Sequence, residues 1–421
     1  MRRVYLDHNA TTPLASEVFE AMCPYFLEDY GNASSIHAYG QRARAAVEEA
    51  RVEVARLINA DPAEIVFTSG GTEGDNTAVL GVAEAAETPS GTKHVVTTAI
   101  EHPAVLYAAR ALEERGVRVT YARVDAGGAV DRGEIARAIQ PDTVLISVMY
   151  ANNEIATLQP IAEIGRLARE RGIPFHSDTV QAAGKVAIDV RELGVDLLTL
   201  SAHKICGPKG VGAMFIRKGT RLRPLLHGGH HERDRRPGTE NVPGVVGLGV
   251  AARLARERLA EDAARVGALR DRLEAGLLDA VPLVRVNGDR TRRLPTTTNL
   301  RFEHVDGEAL VIALDLAGLA CSTGAACSSG SLEPSHVLAA MGLRREEARS
   351  SVRFSLGRST RGEDIAFALE VVPRVVERLR SISPRYGKEE GVTAENAENT
   401  EKNTPIEGTP ELTPRPLRAL R

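Results

Sequence analysis

Val195-Asp196-Leu197-Leu198-Thr199-Leu200-Ser201-Ala202-His203-Lys204-Ile205-Cys206-Gly207-Pro208-Lys209-Gly210 begins as a short apolar run and ends in a Gly- and Pro-rich turn. The run predicts a buried strand, and Lys204 stands just past its end. A lysine in that position can project into a cleft, where its amine can form a Schiff base with a carbonyl cofactor. The same lysine in a Gly-Pro turn is also what a solvated loop would carry, so the neighbouring segments must decide.

Working outward, strand-like and helix-like runs alternate from about residue 64 to 217. Strands are expected at Glu64–Thr68, His94–Thr98, Val117–Ala122, Thr143–Met149 and Ile173–His176. Helices are expected at Thr72–Ala86, Pro103–Arg115 and Ile161–Arg171. This alternation predicts a mostly parallel sheet wrapped by helices, which places ligands at the carboxyl ends of its strands. Three further features fall there. Asp178, in His176-Ser177-Asp178-Thr179-Val180-Gln181, could keep a pyridinium nitrogen protonated or simply cap a helix. Thr68-Ser69-Gly70-Gly71-Thr72-Glu73-Gly74-Asp75-Asn76 joins a strand to a helix and offers an anion site suited to a phosphate, or a plain turn. It is not a Walker loop, because no Gly-Lys-Ser/Thr follows. His102, in Ala99-Ile100-Glu101-His102-Pro103, could lie over a flat ring and handle protons near neutral pH, or cap its helix.

The bulk composition removes several classes. Aromatic residues make up 4% of the 421 residues and Trp is absent, so stacking platforms for single-stranded nucleic acid are not expected. A net charge of −3 gives no polyanion-binding signal and no membrane-surface signal. The N-terminus has no secretory pattern, and no apolar run reaches membrane-spanning length. Four cysteines, Cys23, Cys206, Cys321 and Cys327, are too few for a disulfide scaffold. A reducing cytoplasm is the expected location. No second Cys pair or His cluster completes a metal site, and none is expected. Residues 240–280 predict a long helical stretch, and a second α/β region follows to about 384. Arg385 to Arg421 is rich in Glu, Asn, Thr and Pro and reads as a disordered tail.

Taken together, Tyr5-Leu6-Asp7-His8-Asn9-Ala10-Thr11-Thr12-Pro13, Ser69-Gly70-Gly71-Thr72-Glu73, Ala151-Asn152-Asn153-Glu154-Ile155 and Ser201-Ala202-His203-Lys204 resemble the fold-type I pyridoxal-phosphate enzymes of the class V aminotransferase superfamily. Within it, the chain is similar to the group I cysteine desulfurases, the NifS/IscS-like branch, from Tyr5 to about Arg380. The resemblance implies a large domain with a mostly parallel sheet of the seven-stranded type, over residues 14–258. It also implies a smaller C-terminal α/β domain over 259–384, joined by residues 1–13. The implied cofactor is pyridoxal 5'-phosphate, carried by Lys204. Asp178 is implied at the pyridinium nitrogen and Gln181 at the ring hydroxyl. His102 is implied on the ring, Gly71, Thr72, Ser201 and His203 at the phosphate, and Asn153 beside the ring hydroxyl and the substrate carboxylate. The family is homodimeric, with a threonine reaching the partner's phosphate site; Thr239, in Arg236-Pro237-Gly238-Thr239, matches it, although the family usually has Ser at Pro237.

Cys321-Ser322-Thr323-Gly324-Ala325-Ala326-Cys327-Ser328-Ser329-Gly330-Ser331 is small and polar, a composition that predicts a mobile loop. By the resemblance Cys327 is the catalytic cysteine, and Ser331-Leu332-Glu333-Pro334-Ser335-His336 continues the group I motif. Cys321, Cys23 and Cys206 read as packed, inert thiols. An arginine closing a strand can clamp a carboxylate, and the resemblance assigns that task to Arg358, in Ser355-Leu356-Gly357-Arg358. Asn32 resembles a second substrate contact, with Ala33 standing where the family usually has Pro. The implied reaction takes sulfur from L-cysteine, gives L-alanine and leaves a persulfide on Cys327. Its implied destination is an acceptor protein, such as an iron–sulfur scaffold, that the sequence does not name. A selenocysteine lyase, an aminotransferase on the same fold and a non-catalytic sulfur-trafficking scaffold are the alternatives. A pure aminotransferase has no use for Cys327, and a silent scaffold none for Lys204, Asp178 and His102.

Overall fold

The computed structural model describes residues 2–323 and 334–382. Its strands are β1 (Val4–Tyr5), β2 (Ile65–Thr68), β3 (His94–Thr98), β4 (Arg118–Ala122), β5 (Thr143–Ser147), β6 (Phe175–Asp178), β7 (Leu197–Ser201), β8 (Gly212–Ile216), β9 (Val284–Asn287), β10 (Thr297–Phe302), β11 (Leu319–Ala320) and β12 (Ser351–Ser355). Seven of them form the central sheet in the order β2-β8-β7-β6-β5-β3-β4. Neighbours are parallel from β7 to β4, while β8 runs antiparallel to both β7 and β2. The carboxyl ends of β2, β7, β6, β5 and β3 therefore lie on one edge.

The interior strands are apolar on both faces because both faces are covered. Val96, Ile146 and Leu198 pack on one side with the helices Ala38–Leu57, Ile161–Arg171 and Val242–Glu257. Their neighbours Val95, Leu145 and Leu197 pack on the other with Gly71–Ala85 and Pro103–Glu114. This is the period-2 alternation of a strand buried between two layers. The helices Ala38–Leu57 and Val242–Glu257 cross so closely that a Cβ on Gly249 would come within 2.6 Å of the Ala50 Cα.

A second core is separate. Antiparallel β12-β10-β9 and the parallel pair β1-β11 pack with the helices Leu259–Ala280, Gly307–Leu316 and Gly362–Ser381 around Leu273, Leu300, Phe302 and Phe354. Val4 and Leu6 belong to this core, so the chain's first strand packs with its last third. The helical stretch expected over 240–280 is two helices that meet at Arg258. β8, which the sequence reading does not single out, supplies the one antiparallel strand of the central sheet. No described helix is long and apolar enough to cross a membrane.

Candidate active site

The shared sheet edge gathers the expected groups. After β7, Lys204 ends a short 3-10 turn, Ala202–Lys204. Its ammonium donates to the backbone oxygens of Asn9 and, at 2.8 Å, of Ala10. At the end of β6, Asp178 is buried, and its Oδ1 accepts from the Val180 N–H at 2.8 Å. Burial pushes the Asp178 carboxyl up to about 6, against the pull of Lys204. Behind it lies Asp75, fully buried, with Oδ1 unpartnered and 3.6 Å from His176 Nε2. Burial and the nearby Asp178 raise Asp75 well above the ordinary carboxylate range. Repulsion between the two disfavours ionising both, and Lys204 favours the charge on Asp178. His176 is held neutral, its value pushed down by burial to about 3.

After β2, the helix Gly71–Ala85 starts with Gly70 as its N-cap and has no side-chain cap. Its first amides are thus left for another acceptor. A Cβ on Gly71 would press on Val180 Cγ2 at 2.9 Å, and one on Gly70 would stand 4.0 Å from Ser201 Oγ. Ser201 and Val180 therefore line the cradle above the helix start. Thr72 sits on the first turn, where its backbone oxygen accepts from Asn76.

After β3, His102 caps its helix: Nδ1 accepts from the Ala104 N–H at 3.2 Å, which puts the proton of the neutral ring on Nε2. Burial, then Lys204 and His336, push the ring down to about 4. The sequence reading expects a histidine that titrates near neutral pH; here the ring is a neutral donor. His203, with its ring also pushed down to about 4, chiefly by burial, has Nδ1 3.1 Å from the Thr11 hydroxyl.

The wall opposite the sheet edge comes from the N-terminal segment and β12. The Asn9 backbone oxygen accepts from Lys204 Nζ and Gln181 Nε2 (3.0 Å), while its side chain donates to the Asn153 oxygen at 3.1 Å and Thr297 Oγ1 at 3.0 Å. Arg353, buried on β12, donates to the Asn153 oxygen at 2.8 Å and to Asp7 Oδ1 at 2.7 Å, and its Nε is buried without a partner.

Arg358, the expected substrate arginine, lines the same cavity as Lys204. Its Nε donates to Asp262 Oδ2 at 2.8 Å and its Nη2 to the Leu254 oxygen at 3.5 Å. Arg353 has the guanidinium beside Asn153. An arginine inside an otherwise buried strand, Ser351-Val352-Arg353-Phe354-Ser355, is the signal that could have found it. Asn9 and Lys185 were also missed; their roles rest on contacts that no local pattern displays.

The remaining expected residues lie further out. Asn32 is exposed, and its Oδ1 accepts from Ser34 N at 2.8 Å. Thr239 is exposed in a segment anchored by Glu232, whose carboxylate takes two 2.8 Å hydrogen bonds from buried Arg51 and one of 2.9 Å from Phe67 N. Cys327 lies outside the described residues, as does the expected tail. Cys321 is buried, and burial raises its thiol far above the ordinary range, in keeping with an inert role. Cys206 is only partly buried and takes a left-handed backbone, φ 64°, so it is not the packed core thiol expected.

The family model described as Aminotransferase class-V matches residues 4–367, and the chain belongs to that family. It is 49% identical over 383 residues to the cysteine desulfurase IscS of Dictyoglomus turgidum, covering 91% of this chain and 97% of that one. It is 50% identical over 388 residues to the cysteine desulfurase IscS of Methanosarcina thermophila, covering 92% and 95%. A solved structure titled as a NifS-like protein superposes with a TM-score of 0.84 at 37% identity, covering 90% of this chain and all of that one. Another, titled as SspA in complex with cysteine, gives 0.75 at 37% identity, covering 84% and 99%.

Proposed function

We propose that the chain is a pyridoxal-phosphate-dependent cysteine desulfurase, taking sulfur from L-cysteine and releasing L-alanine. The observation that carries the reading is the convergence of Lys204, buried Asp178 and the glycine-capped helix start on one sheet edge, with Arg358 lining the same cavity as Lys204. The site fits the cofactor. The uncapped amides at Gly71 and Thr72, with Ser201 and His203, suit a phosphate. Asp178 suits a ring nitrogen, Gln181 and Asn153 the ring oxygen, and His102 the ring face. Thr239 of the partner subunit would complete the phosphate site in a homodimer. When bound, pyridoxal phosphate supplies a sink for the electron pair left when the substrate loses its α-proton.

The chain's own groups do the rest. Arg358 receives the substrate carboxylate through a charge-assisted hydrogen bond, which fixes Cα near Lys204. The Lys204 amine takes the α-proton and can return it nearby as an acid. Neutral His102 holds its Nε2 proton for donation rather than serving as a base. The Cys327 thiolate bonds to the substrate sulfur as the Cβ–S bond breaks; the electron pair stays with the three-carbon skeleton, which gains protons to become alanine. The thiolate is the competent nucleophile. Persulfide sulfur then passes to an acceptor protein, with iron–sulfur assembly as the expected use.

The test is stoichiometry. Purified protein reconstituted with pyridoxal phosphate should show a visible band, and with L-cysteine and a thiol reductant it should yield alanine and sulfide in equal amounts. Cys327→Ser should keep the band and release no sulfide. Alanine without sulfide, or full sulfide release by Cys327→Ser, defeats the reading.

A further inference from the structure

Lys185 is a part-buried lysine that neither the cofactor contacts nor the sulfur chemistry above employs. It lies four residues after Gln181, in the turns Gln181-Ala182-Ala183-Gly184-Lys185. Its Nζ donates to Gln181 Oε1 at 2.8 Å and stands 3.5 Å from Asn9 Oδ1. A lysine ammonium has donors and no acceptor, so while Lys185 is charged this contact points the Gln181 amide oxygen to Lys185 and its nitrogen away. That nitrogen donates to the Asn9 backbone oxygen at 3.0 Å, the same oxygen that receives Lys204 Nζ. Gln181 Nε2 and Lys204 Nζ are therefore neighbours. In pyridoxal phosphate the ring hydroxyl is on the carbon next to the one bearing the carbonyl, so it must sit beside the nitrogen of the lysine that carries it.

We infer that Lys185 is a positioning residue that locks the Gln181 amide with its N–H toward the cofactor's ring oxygen, and that its ammonium disfavours a second positive charge on the Lys204 nitrogen. The inference rests on the cofactor reading above. An unlocked glutamine could present either end to the ring oxygen; only the nitrogen end favours the anionic oxygen. The groups around Lys185 agree with a tuning role. Lys204 and Arg353 act on it as like charges, Cys206 acts in the opposite sense, and His8 and His203 both feel its charge. Arg358 and Asp262 line the same cavity but are paired to each other. Burial, with Lys204 and Arg353, lowers the Lys185 ammonium to about 7, so its charge is poised to respond to what Lys204 carries.

The experiment compares wild type, Lys185→Met, Lys185→Gln, Gln181→Ala and the double variant Lys185→Met/Gln181→Ala as full chains. Two quantities are read: the dissociation constant for pyridoxal phosphate added to apoenzyme, and the pH midpoint of the bound cofactor's visible band. Lys185→Met should weaken cofactor binding about tenfold, the scale of one hydrogen bond to a charged group. It should also raise the midpoint by about one pH unit, as expected when a nearby like charge is removed. Lys185→Gln keeps a donor for Gln181 Oε1 without the charge, so it should retain most of the affinity while still raising the midpoint; it carries the test if Lys185→Met fails to fold. The double variant should bind the cofactor no worse than Gln181→Ala, because the lysine acts on affinity through the glutamine. Wild-type affinity and midpoint in Lys185→Met, an unshifted midpoint in Lys185→Gln, or affinity losses that simply add would each overturn the inference. A wild-type protein without a visible band would instead defeat the cofactor reading, so the two failures are distinguishable.

Discussion

The sheet edge and the wall that faces it are built by different means. Lys204, Asp178 and His102 stand at or just past the ends of β7, β6 and β3, so strand order alone gathers them. Arg353 and Asn9 reach the site through contacts that span the chain: Arg353 to Asp7, and Asn9 to Ser355, are each separated by 346 positions. The first kind of site is set by local sequence and one sheet topology. The second exists only when the two cores have joined, and its residues advertise themselves by burial rather than by motif.

The comparison can be broken most forcefully at Lys204. Lys204→Ala should abolish the borohydride-fixed cofactor adduct and lower desulfurase turnover by about a thousandfold or more, the scale seen when a central catalytic group is removed. A fixed adduct at Lys209 would move the site off the β7 edge. The facing wall is tested next by its two arginines. Arg358→Ala should raise KM for cysteine about a hundredfold, as expected when one member of a desolvated charge pair is lost, while Arg353→Ala should act mainly on folding stability, through loss of the part-buried pair with Asp7. An unchanged KM in Arg358→Ala would defeat the assignment of the substrate carboxylate to that residue.

A smaller effect concerns Glu101, behind the edge, which accepts from the Thr98 hydroxyl at 2.6 Å and from Met149 N at 3.0 Å. Burial raises its carboxyl to about 8 from an ordinary 4.5. The unfolded chain releases this proton first, so the stability it contributes is complete below about pH 4.5 and is lost as pH rises through about 8. Thermal melts of Glu101→Gln apoprotein should therefore fall less steeply over that window than wild type; parallel curves would mean that Glu101 is already ionised in the folded protein. The smallest effect is expected from truncation after Pro384. Cysteine turnover with a small-molecule reductant should be unchanged, because every group placed at the site precedes it. A large loss of cofactor binding would contradict that placement.

Much of this was legible beforehand for a physical reason. Val195–Leu200 and His94–Thr98 are apolar runs closed by turn residues, and the groups just beyond them could be read as a strand-end cluster before any coordinates. The boundaries moved little: the strand expected to end at Leu200 ends at Ser201. The sequence did not display that Arg358 would pair with Asp262, because that depends on how the helix Leu259–Ala280 packs on the end of β12. The protonation of His102 was equally hidden, since its low value comes first from burial, which composition does not record. Lys185 carries no local signal, and only its contact with Gln181 ties it to the site.

The parallel pairing of β1 with β11, Val4 against Leu319, carries a consequence for how the protein is made. The ribosome delivers the Asn9 segment well before its partners Thr297 and Ser355, which follow the whole central sheet. The central sheet, whose strands lie between residues 65 and 216, can assemble while translation continues, since domains generally fold as units during synthesis. During that interval Lys204 has no Asn9 carbonyl held in place beside it by the second core. Cofactor capture is thus expected to wait for Ser355, and the lag between synthesis and the appearance of the visible band would time the docking of the Asn9 segment onto the second core.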